Sequence, residues 1–225
     1  MDAHPLPVPV QPAARQRASR QRWFLVGLSL FFIIINIQYV VKIARSDRES
    51  RSAFVRWSSQ IVELGSGVDI WARHNYPNPP IMALILEPLV QLPPLAGSLA
   101  WFYLKVAMAV LSLHWVLKLL DRGERPFPWW ARVLTVLLCL RPIAGDLVHG
   151  NVNLFILFLV VGALVSFCRR RDLLAGMLLG LAIACKVTPA LFVPYFLWKR
   201  AWKTLAGTAV GIALFVWVVP GLALG

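Results

Sequence analysis

Uncharged apolar stretches recur along the chain, and they constrain its fold more than any other feature of the sequence. The first, residues 23–41, has 19 residues without a charge, close to the roughly 20 residues that a helix needs to cross a bilayer. Over the whole chain 59% of residues are hydrophobic and 15% are charged, whereas a soluble domain has about 45–50% and about 25%. The excess apolar surface has to face lipid, so the sequence argues against a water-soluble globule.

Further apolar segments follow the first, and together they predict an all-α fold. At roughly 20 residues for each span, the chain has room for about seven or eight helices with their loops. The segments are residues 95–119, 129–145, 152–167, 173–185, 190–198 and 205–220. We therefore predict a polytopic transmembrane helical bundle with about seven spans. Residues 81–92 are too short to span and contain Pro88, which predicts a short re-entrant or interfacial helix.

Two polar segments suggest how the chain is organised. Residues 1–22 are rich in Pro and Arg, and we predict that they form a disordered basic arm in the cytoplasm, followed by a single transmembrane domain over residues 23–225. Residues 42–79 are predicted to be a polar extracytoplasmic loop. Within this loop, apolar residues at helical spacing predict either an amphipathic helix on the membrane surface or an ordinary solvated helix. These residues are Phe54, Trp57, Ile61 and Leu64.

The net charge of +13 could indicate nucleic-acid binding, but its distribution favours a membrane. Basic residues cluster between apolar runs, near residues 122–125, 169–171 and 199–203. Such clusters mark cytoplasmic turns and contact lipid headgroups, so we predict a multi-pass cell-membrane protein with a cytoplasmic N-terminus and no nucleic-acid partner. The six basic residues of the 42–79 loop oppose this orientation. The three Cys are scattered, which gives no support for a disulfide framework or a CxxC metal site.

On this topology the unusual polar residues collect at one membrane face. Tyr76 and Asn78 lie in an extended stretch before the short helix, because each proline there pushes its predecessor out of the helical region. Four further polar residues lie between two spans: Asp146, His149, Asn151 and Asn153. Lys186 lies near Pro189, where the pattern predicts either a helical hairpin or one broken helix. An ionisable residue at membrane depth is a functional candidate, since leaving it unpaired costs several kcal/mol.

Three stretches in this order resemble glycosyltransferase family 87, the polyprenol-phosphate-mannose-dependent mannosyltransferase-like proteins of the GT-C superfamily. The first is Tyr76-Pro77-Asn78-Pro79-Pro80, followed by Pro88, Pro93-Pro94 and Ala100-Trp101. The second is Gly150-Asn151-Val152-Asn153, where the family usually has Gly-Gln-x-Asn. The third is Gly180-Leu181-Ala182 leading into Lys186-Val187-Thr188-Pro189, close to the family's Lys-x-x-Pro. Together they cover about residues 50–205.

The resemblance implies a GT-C type bundle and a reaction without a cofactor. A polyprenyl-phosphate sugar, typically mannose, would donate its hexose with inversion to a glycolipid or polysaccharide hydroxyl on the extracytoplasmic side. Lys186 would stabilise the departing lipid phosphate, because a fixed cation lowers the barrier most in a water-poor site; alternatively it is a lysine that snorkels at a helix end. The other substrate-binding candidates are Tyr76, Asn78, His149, Asn151 and Asn153. The two Asn at 151 and 153 could equally cap the next helix, and His149 could simply be solvated.

The acceptor hydroxyl needs a general base, which the family is expected to supply from an acidic residue in the first extracytoplasmic loop. The family often has Asp-Phe-x-x-Tyr there, whereas this chain has Ala53-Phe54-Val55-Arg56-Trp57, so Ala53 stands at the expected Asp position. Asp47 and Glu49, just upstream, are our catalytic candidates, because a carboxylate need only reach the proton within hydrogen-bond distance. Asp69 and Asp146 are further options.

Other functions stay open at this point. Family members usually continue for several more helices, whereas this sequence stops at Gly225, so we expect it to correspond to the N-terminal part of such an enzyme. The alternative is a truncated or non-catalytic membrane protein that binds lipid phosphates or a partner subunit. A small-solute transporter is less favoured, because the sequence shows no internal repeat.

Overall fold

The computed structural model describes residues 12–44, 52–121 and 127–224, and every regular element in these ranges is helical. The helices are α1 (Pro12–Ala44), α2 (Ala53–Leu64), α3 (Ile70–His74), α4 (Pro80–Val90), α5 (Pro94–Leu120), α6 (Trp129–His149), α7 (Asn153–Cys168), α8 (Asp172–Cys185), α9 (Phe192–Trp198), α10 (Trp202–Ala213) and α11 (Val219–Leu224). A 3₁₀ turn, Thr188–Leu191, precedes α9, and a π-helical turn, Leu214–Val218, joins α10 to α11. The all-α prediction is confirmed.

Three helical stretches in the described part of the chain are long and apolar enough to cross a bilayer. They are Val26–Ile43 within α1, Pro94–Leu120, and the continuous stretch Trp202–Leu224. Helices α7 and α8 are apolar but have only 16 and 14 residues, fewer than the roughly 20 that a perpendicular span needs. The predicted count of about seven spans is therefore not confirmed. Helix α1 begins at Pro12, inside the arm predicted to be disordered, and a proline is tolerated in a first helical turn.

The chain folds back on itself at Lys186, so the structure shows the helical hairpin rather than one broken helix. Lys186 follows α8 and hydrogen-bonds to Asn153 at the start of α7, which makes α7 and α8 antiparallel. Helix α9 returns from this turn and brings residues 199–203 beside residues 168–172. Two ends of the bundle are thereby defined: a polar end, with residues 150–153 and Lys186, and a basic end, with residues 169–171 and 199–203.

Helix α10 runs parallel to α8, and four glycines form the contact between them. A Cβ at Gly180 would lie 2.8 Å from the Thr208 carbonyl oxygen and 2.9 Å from the Gly211 Cα, and a Cβ at Gly207 would lie 2.8 Å from the Leu173 carbonyl oxygen. Gly176 approaches the backbone of Thr204 in the same way. This packing of small residues at four-residue spacing is typical of helix pairs within membranes. We call this contact the glycine seam, and it was not among the features predicted from the sequence.

Helices α2 and α4 pack on one another at the polar end. The predicted apolar face of α2 is buried at Phe54, Trp57 and Ile61 and half-buried at Leu64, and Ser52 caps its N-terminus. Helix α4 packs against α2, α5 and α8. Its last turn lies against Gly97 at the start of α5. This close contact between the two helices keeps α4 at the polar end. The short helix predicted at residues 81–92 is thus present, and its depth in a membrane stays a prediction.

Candidate functional site at the polar end

A cavity of about 710 Å³ opens at the polar end between α2, α8, α10 and two connecting turns. Its lining includes Trp57 and Cys185, the apolar side chains of Ile212 and Val216, and four of the polar residues singled out in the sequence. Those four are Asn78, Asn151, Asn153 and Lys186. Residues more than 100 positions apart therefore meet around one space, which is mostly apolar with a few convergent polar groups, as small-molecule sites usually are.

Lys186 is held in place by a chain of polar contacts that leads into the protein. Its exposed ammonium Nζ donates to Asn153 Oδ1 over 2.6 Å, and Asn153 Nδ2 donates to Asp146 Oδ1 over 2.9 Å. The carboxylate accepts only and the ammonium donates only, so these two partners fix the orientation of the Asn153 amide. Asp146 is buried, and its Oδ2 also faces the backbone N–H of Leu154 at 3.4 Å.

Lys105 lies at the inner end of this chain and is fully buried. Its Nζ donates to the carbonyl oxygens of Asp146 and Asn151, over 2.7 and 3.2 Å, and lies 3.4 Å from Asp146 Oδ2. The Trp101 ring centroid is 5.8 Å away. We call the four side chains Lys105, Asp146, Asn153 and Lys186 the polar network. The sequence singled out Asp146, Asn153 and Lys186 but did not connect Lys105 with them.

Gly150 explains the local spacing of the Gly-Asn-x-Asn motif. It ends α6 with a φ of 74°, in the left-handed region, and its carbonyl oxygen accepts from Trp101 Nε1 over 3.2 Å. A Cβ here would lie 3.1 Å from the Ser52 Cβ, so the turn needs glycine for both conformation and space. The turn directs the Asn151 carbonyl to Lys105 and places Asn153 in the first turn of α7. The N-cap of α7 is Val152, without a side-chain bond, so neither Asn caps that helix.

Tyr76 lies behind the cavity rather than on its surface. The side chain is buried between Trp57 and Trp71, with ring centroids 6.1 Å from each. Burial raises the pKa of the Tyr76 phenol to about 12, and the neighbouring Asn78 side chain offsets this only partly. Trp71 Nε1 donates to the Asn78 carbonyl over 2.9 Å, whereas Asn78 Nδ2 completes no hydrogen bond of normal geometry with any described residue. Tyr76 therefore shapes the loop, and Asn78 brings a buried amide to the cavity.

The remaining predicted site residues are placed elsewhere. His149 is exposed, and its Nδ1 lies 2.6 Å from the Gly145 carbonyl of its own helix, away from the cavity lining. Asp47 and Glu49 lie outside the described residues. Ala53 is buried in the first turn of α2, and Asp69 caps α3 by accepting from the N–H groups of Trp71 and Ala72. Within the described residues, no three His, Cys, Asp or Glu side chains are grouped to hold a metal ion.

Comparison with known proteins places this sequence in a family. The model of glycosyltransferase family 87 matches residues 76–225, which include both connecting turns of the cavity and Lys186. A Mycobacterium tuberculosis protein named polyprenol-phosphate-mannose-dependent alpha-(1-2)-phosphatidylinositol mannoside mannosyltransferase is 34% identical over 152 residues, 60% of this chain and 35% of that protein. Its namesake in Mycolicibacterium smegmatis is 34% identical over 144 residues, 58% of this chain and 32% of that protein.

A third relative, also from Mycolicibacterium smegmatis, is named as a polyprenol-phosphate-mannose-dependent alpha-(1-2)-phosphatidylinositol pentamannoside mannosyltransferase. It is 30% identical over 152 residues, 64% of this chain and 35% of that protein. The chain thus spans about a third of the length of the curated relatives it matches. No solved structure gives a significant match. Because the family model covers two thirds of the sequence, the chain belongs to glycosyltransferase family 87.

Proposed function

We propose that this chain carries the donor-phosphate site of an integral-membrane glycosyltransferase. The enzyme would transfer a hexose, most simply mannose, from a polyprenyl-phosphate donor to a hydroxyl of a glycolipid or polysaccharide acceptor, with inversion. Family membership and the names of the mannosyltransferase relatives support the class of reaction. The observation that carries the proposal is the cavity in which Asn78, Asn151, Asn153 and Lys186 meet.

The charge of the polar network suits a phosphate. Lys105 and Lys186 contribute two positive charges and Asp146 one negative charge, so the network holds one positive charge in excess. Lys105 is buried against the carboxylate, whereas Lys186 is exposed at the cavity. The excess charge is therefore available at the Lys186 ammonium. As the glycosidic bond breaks, negative charge grows on the lipid phosphate, and a fixed cation beside it lowers the barrier.

The amide side chains around Lys186 hold its ammonium in place and offer a further hydrogen-bond donor. Asn153 holds the ammonium at 2.6 Å and so limits the conformations open to a long, flexible side chain. Asn78 Nδ2 is a donor without a partner among the described residues, and a buried donor of this kind is costly unless something accepts from it. A sugar hydroxyl or a phosphate oxygen in the cavity would do so after a small shift of the amide. The apolar lining of Ile212 and Val216 would contact the first isoprene units of the carrier.

We propose that the polar end faces the extracytoplasmic side of a multi-pass cell-membrane protein. Two basic clusters meet at the opposite end, as the excess of Lys and Arg on cytoplasmic turns would require. Lys42, in the last turn of α1, donates to the Val148 carbonyl near the polar end, so α1 would begin in the cytoplasm. Asp47 and Glu49 belong to the connection from α1 to α2, and they stay our candidates for the general base.

Transfer in membranes containing the chain tests the proposal, with radiolabelled polyprenyl-phosphate mannose as donor. Lys186→Gln removes the charge at similar length and is expected to lower the transfer rate by about 100-fold or more, the usual cost of losing one stabiliser of transition-state charge. Lys118→Gln is the matched control, since Lys118 is exposed in the last turn of α5 and touches neither the cavity nor the network. Transfer by Lys186→Gln equal to wild type would reject the role of this lysine.

A non-catalytic lipid-phosphate binder is the second candidate, because the buried Ala53 stands where the family's carboxylate is expected. It would bind the labelled donor through Lys186 without turning it over. Donor bound by wild type and lost in Lys186→Gln, with no transfer in either, would establish this alternative. Loss of transfer in Asp47→Asn or Glu49→Gln, with donor binding retained, would instead identify the base.

A further inference from the structure

A second cavity, of about 660 Å³, lies at the basic end, on the far side of the bundle from the candidate site. Four of its nine lining residues are cations and one is acidic: Arg170, Lys199, Arg200 and Lys203 against Asp172. None of the four cations forms an ion pair with any carboxylate in the described part of the chain. The cavity therefore combines a concave shape with a net positive charge, since its four cations outnumber Asp172 and pair with no carboxylate among the described residues.

Two of these cations lie in an unusual backbone conformation. Arg170 has a φ of 61° and Arg200 a φ of 52°, in the left-handed region where glycine is the usual residue after a helix. The two turns are alike, because Arg171 N–H donates to the Ser166 carbonyl over 2.9 Å and Ala201 N–H to the Phe196 carbonyl over 3.0 Å. Arginine thus occupies two positions where glycine would adopt the backbone more easily, and both arginines line the same cavity. Outliers of this kind point to function when their side chains converge.

The helix starts at this end add to the positive potential. Helices α8 and α10 are parallel and both begin at the cavity, at Asp172 and Trp202. In the described residues neither start has a side-chain cap. The first N–H groups of a helix carry the positive end of its dipole and favour anions. Their contribution adds to that of the four side chains, although Asp172 opposes it in part.

The surroundings indicate a ligand that belongs to the membrane. Trp202 lines the cavity and is 65% exposed, and Trp198, at the end of α9, is 78% exposed. Lys199 Nζ lies 5.0 Å from the Trp198 ring centroid and 5.9 Å from that of Tyr195. Exposed indole rings beside basic residues at helix ends are typical of the headgroup layer. We infer that this cavity binds the phosphate diester headgroup of an anionic phospholipid from the leaflet at the basic end.

The inference does not depend on the proposed transferase function, and lipid retention tests it directly. The purified chain in zwitterionic micelles is mixed with equal amounts of phosphatidylglycerol and phosphatidylcholine, and native mass spectrometry measures the lipid that stays bound. Wild type is expected to retain phosphatidylglycerol in preference. The double variant Arg170→Gly with Arg200→Gly removes two guanidinium groups and is expected to lower this preference about tenfold, since each surface cation contributes to attraction of anionic lipid.

Glycine at both positions keeps the test independent of folding, because glycine adopts positive φ without strain. The double variant should therefore unfold at a temperature no lower than wild type in the same micelles. The control Lys118→Gln with Arg141→Gln removes two exposed cations outside the cavity and should keep the preference. Equal retention of both lipids by wild type, or an equal loss in the control, would overturn the inference. Displacement of bound phosphatidylglycerol by inorganic phosphate at equimolar concentration would show a site for free phosphate rather than lipid.

Discussion

The two ends of helix α8 differ in whether their positively charged side chains have partners inside the protein. At the polar end, Lys186 is held by Asn153, which is held by the buried Asp146. At the basic end, Arg170 and its three neighbouring cations surround a cavity without an ion pair to any described carboxylate. These two arrangements suit the cations to different tasks. A cation fixed by internal partners can act on a reacting group at a defined position, whereas cations that pair with no described carboxylate are available to hold an anionic ligand.

The polar end should depend strongly on Asp146. Asp146→Ala leaves the fully buried Lys105 without its carboxylate, so the free energy of unfolding is expected to fall by about 3–5 kcal/mol, the usual cost of breaking a buried ion pair. It also removes the acceptor of Asn153 Nδ2, and Lys186 would lose its fixed position. Titration with dodecyl sulfate in mixed micelles measures the change in stability.

A paired substitution separates the charge effect from a general loss of packing. The double variant Lys105→Met with Asp146→Leu removes both charges, and apolar replacements of a buried pair are often neutral or stabilising. We expect it to recover most of the stability lost in Asp146→Ala, while donor binding at Lys186 stays impaired. Equal stability of Asp146→Ala and wild type would show that the network does not hold the polar end together.

The glycine seam lies between the two ends and fixes the position of α8 against α10, two helices that extend from one end to the other. Gly180→Ala would place a Cβ 2.8 Å from a backbone oxygen that cannot move without the whole of α10. We expect a loss of about 1–3 kcal/mol in the free energy of unfolding, typical of overpacking. Gly145→Ala is the matched control in α6, since its Cβ would meet nothing within 4 Å. It should be neutral or stabilise by about 0.5–1 kcal/mol. The same micelle titration compares them, and a stable Gly180→Ala would contradict the close contact.

Much of the polar end could be predicted from the sequence, because each of its polar residues interrupts an apolar run. Such interruptions at Asn151, Asn153 and Lys186 are visible along the chain, and helical topology then places them at one end. The partner of Lys105 could not be predicted in the same way. Asp146 was visible as an unusual carboxylate, but its contact with α5 depends on how three helices pack.

Other features were hidden for different physical reasons. His149 is adjacent to Gly150 in sequence, yet it stays on α6 while the left-handed turn at Gly150 redirects the chain. Its position next to the motif therefore did not place its side chain at the cavity. The backbone conformation of Arg170 and Arg200 carries no sequence signal, since arginine rarely adopts positive φ. The glycine spacing of the seam was readable from Gly176, Gly180, Gly207 and Gly211, and a search for small residues four apart would have found it.

The left-handed positions at the two ends should respond with opposite sign. Gly150→Ala introduces a Cβ 3.1 Å from the Ser52 Cβ at a φ of 74°, so we expect a loss of about 1–2 kcal/mol in the free energy of unfolding. Arg200→Gly relieves a φ of 52° and should raise stability by up to about 1 kcal/mol. Titration in zwitterionic micelles measures both. A loss in Arg200→Gly would mean that its side chain stabilises the basic end without any lipid.

Substitution of Glu63, a surface carboxylate at the polar end, should have the smallest effect. It allows an exposed ion pair to be compared with the buried pair of Lys105 and Asp146. Glu63 lies 2.9 Å from His74 Nε2 and 3.3 Å from Arg73 Nη1. The hydrogen bond from His74, aided by the charge of Arg73, lowers the pKa of Glu63. A carboxyl whose pKa is lower in the folded state stabilises above its unfolded pKa, about 4.3, and loses that contribution as the pH falls through the folded pKa.

Glu63→Gln should therefore unfold at a slightly lower temperature than wild type at neutral pH. The gap should be present at neutral pH and should close as the pH falls below the unfolded pKa and then through the lowered folded pKa of Glu63, because wild-type Glu63 is then protonated as well. Thermal unfolding in zwitterionic micelles across this range measures it. A gap that widened toward acid would mean that the folded protein favours protonated Glu63, the reverse of the charge arrangement seen here. At neutral pH the fall in unfolding temperature of Asp146→Ala should exceed that of Glu63→Gln, because solvent screens the exposed pair and not the buried one.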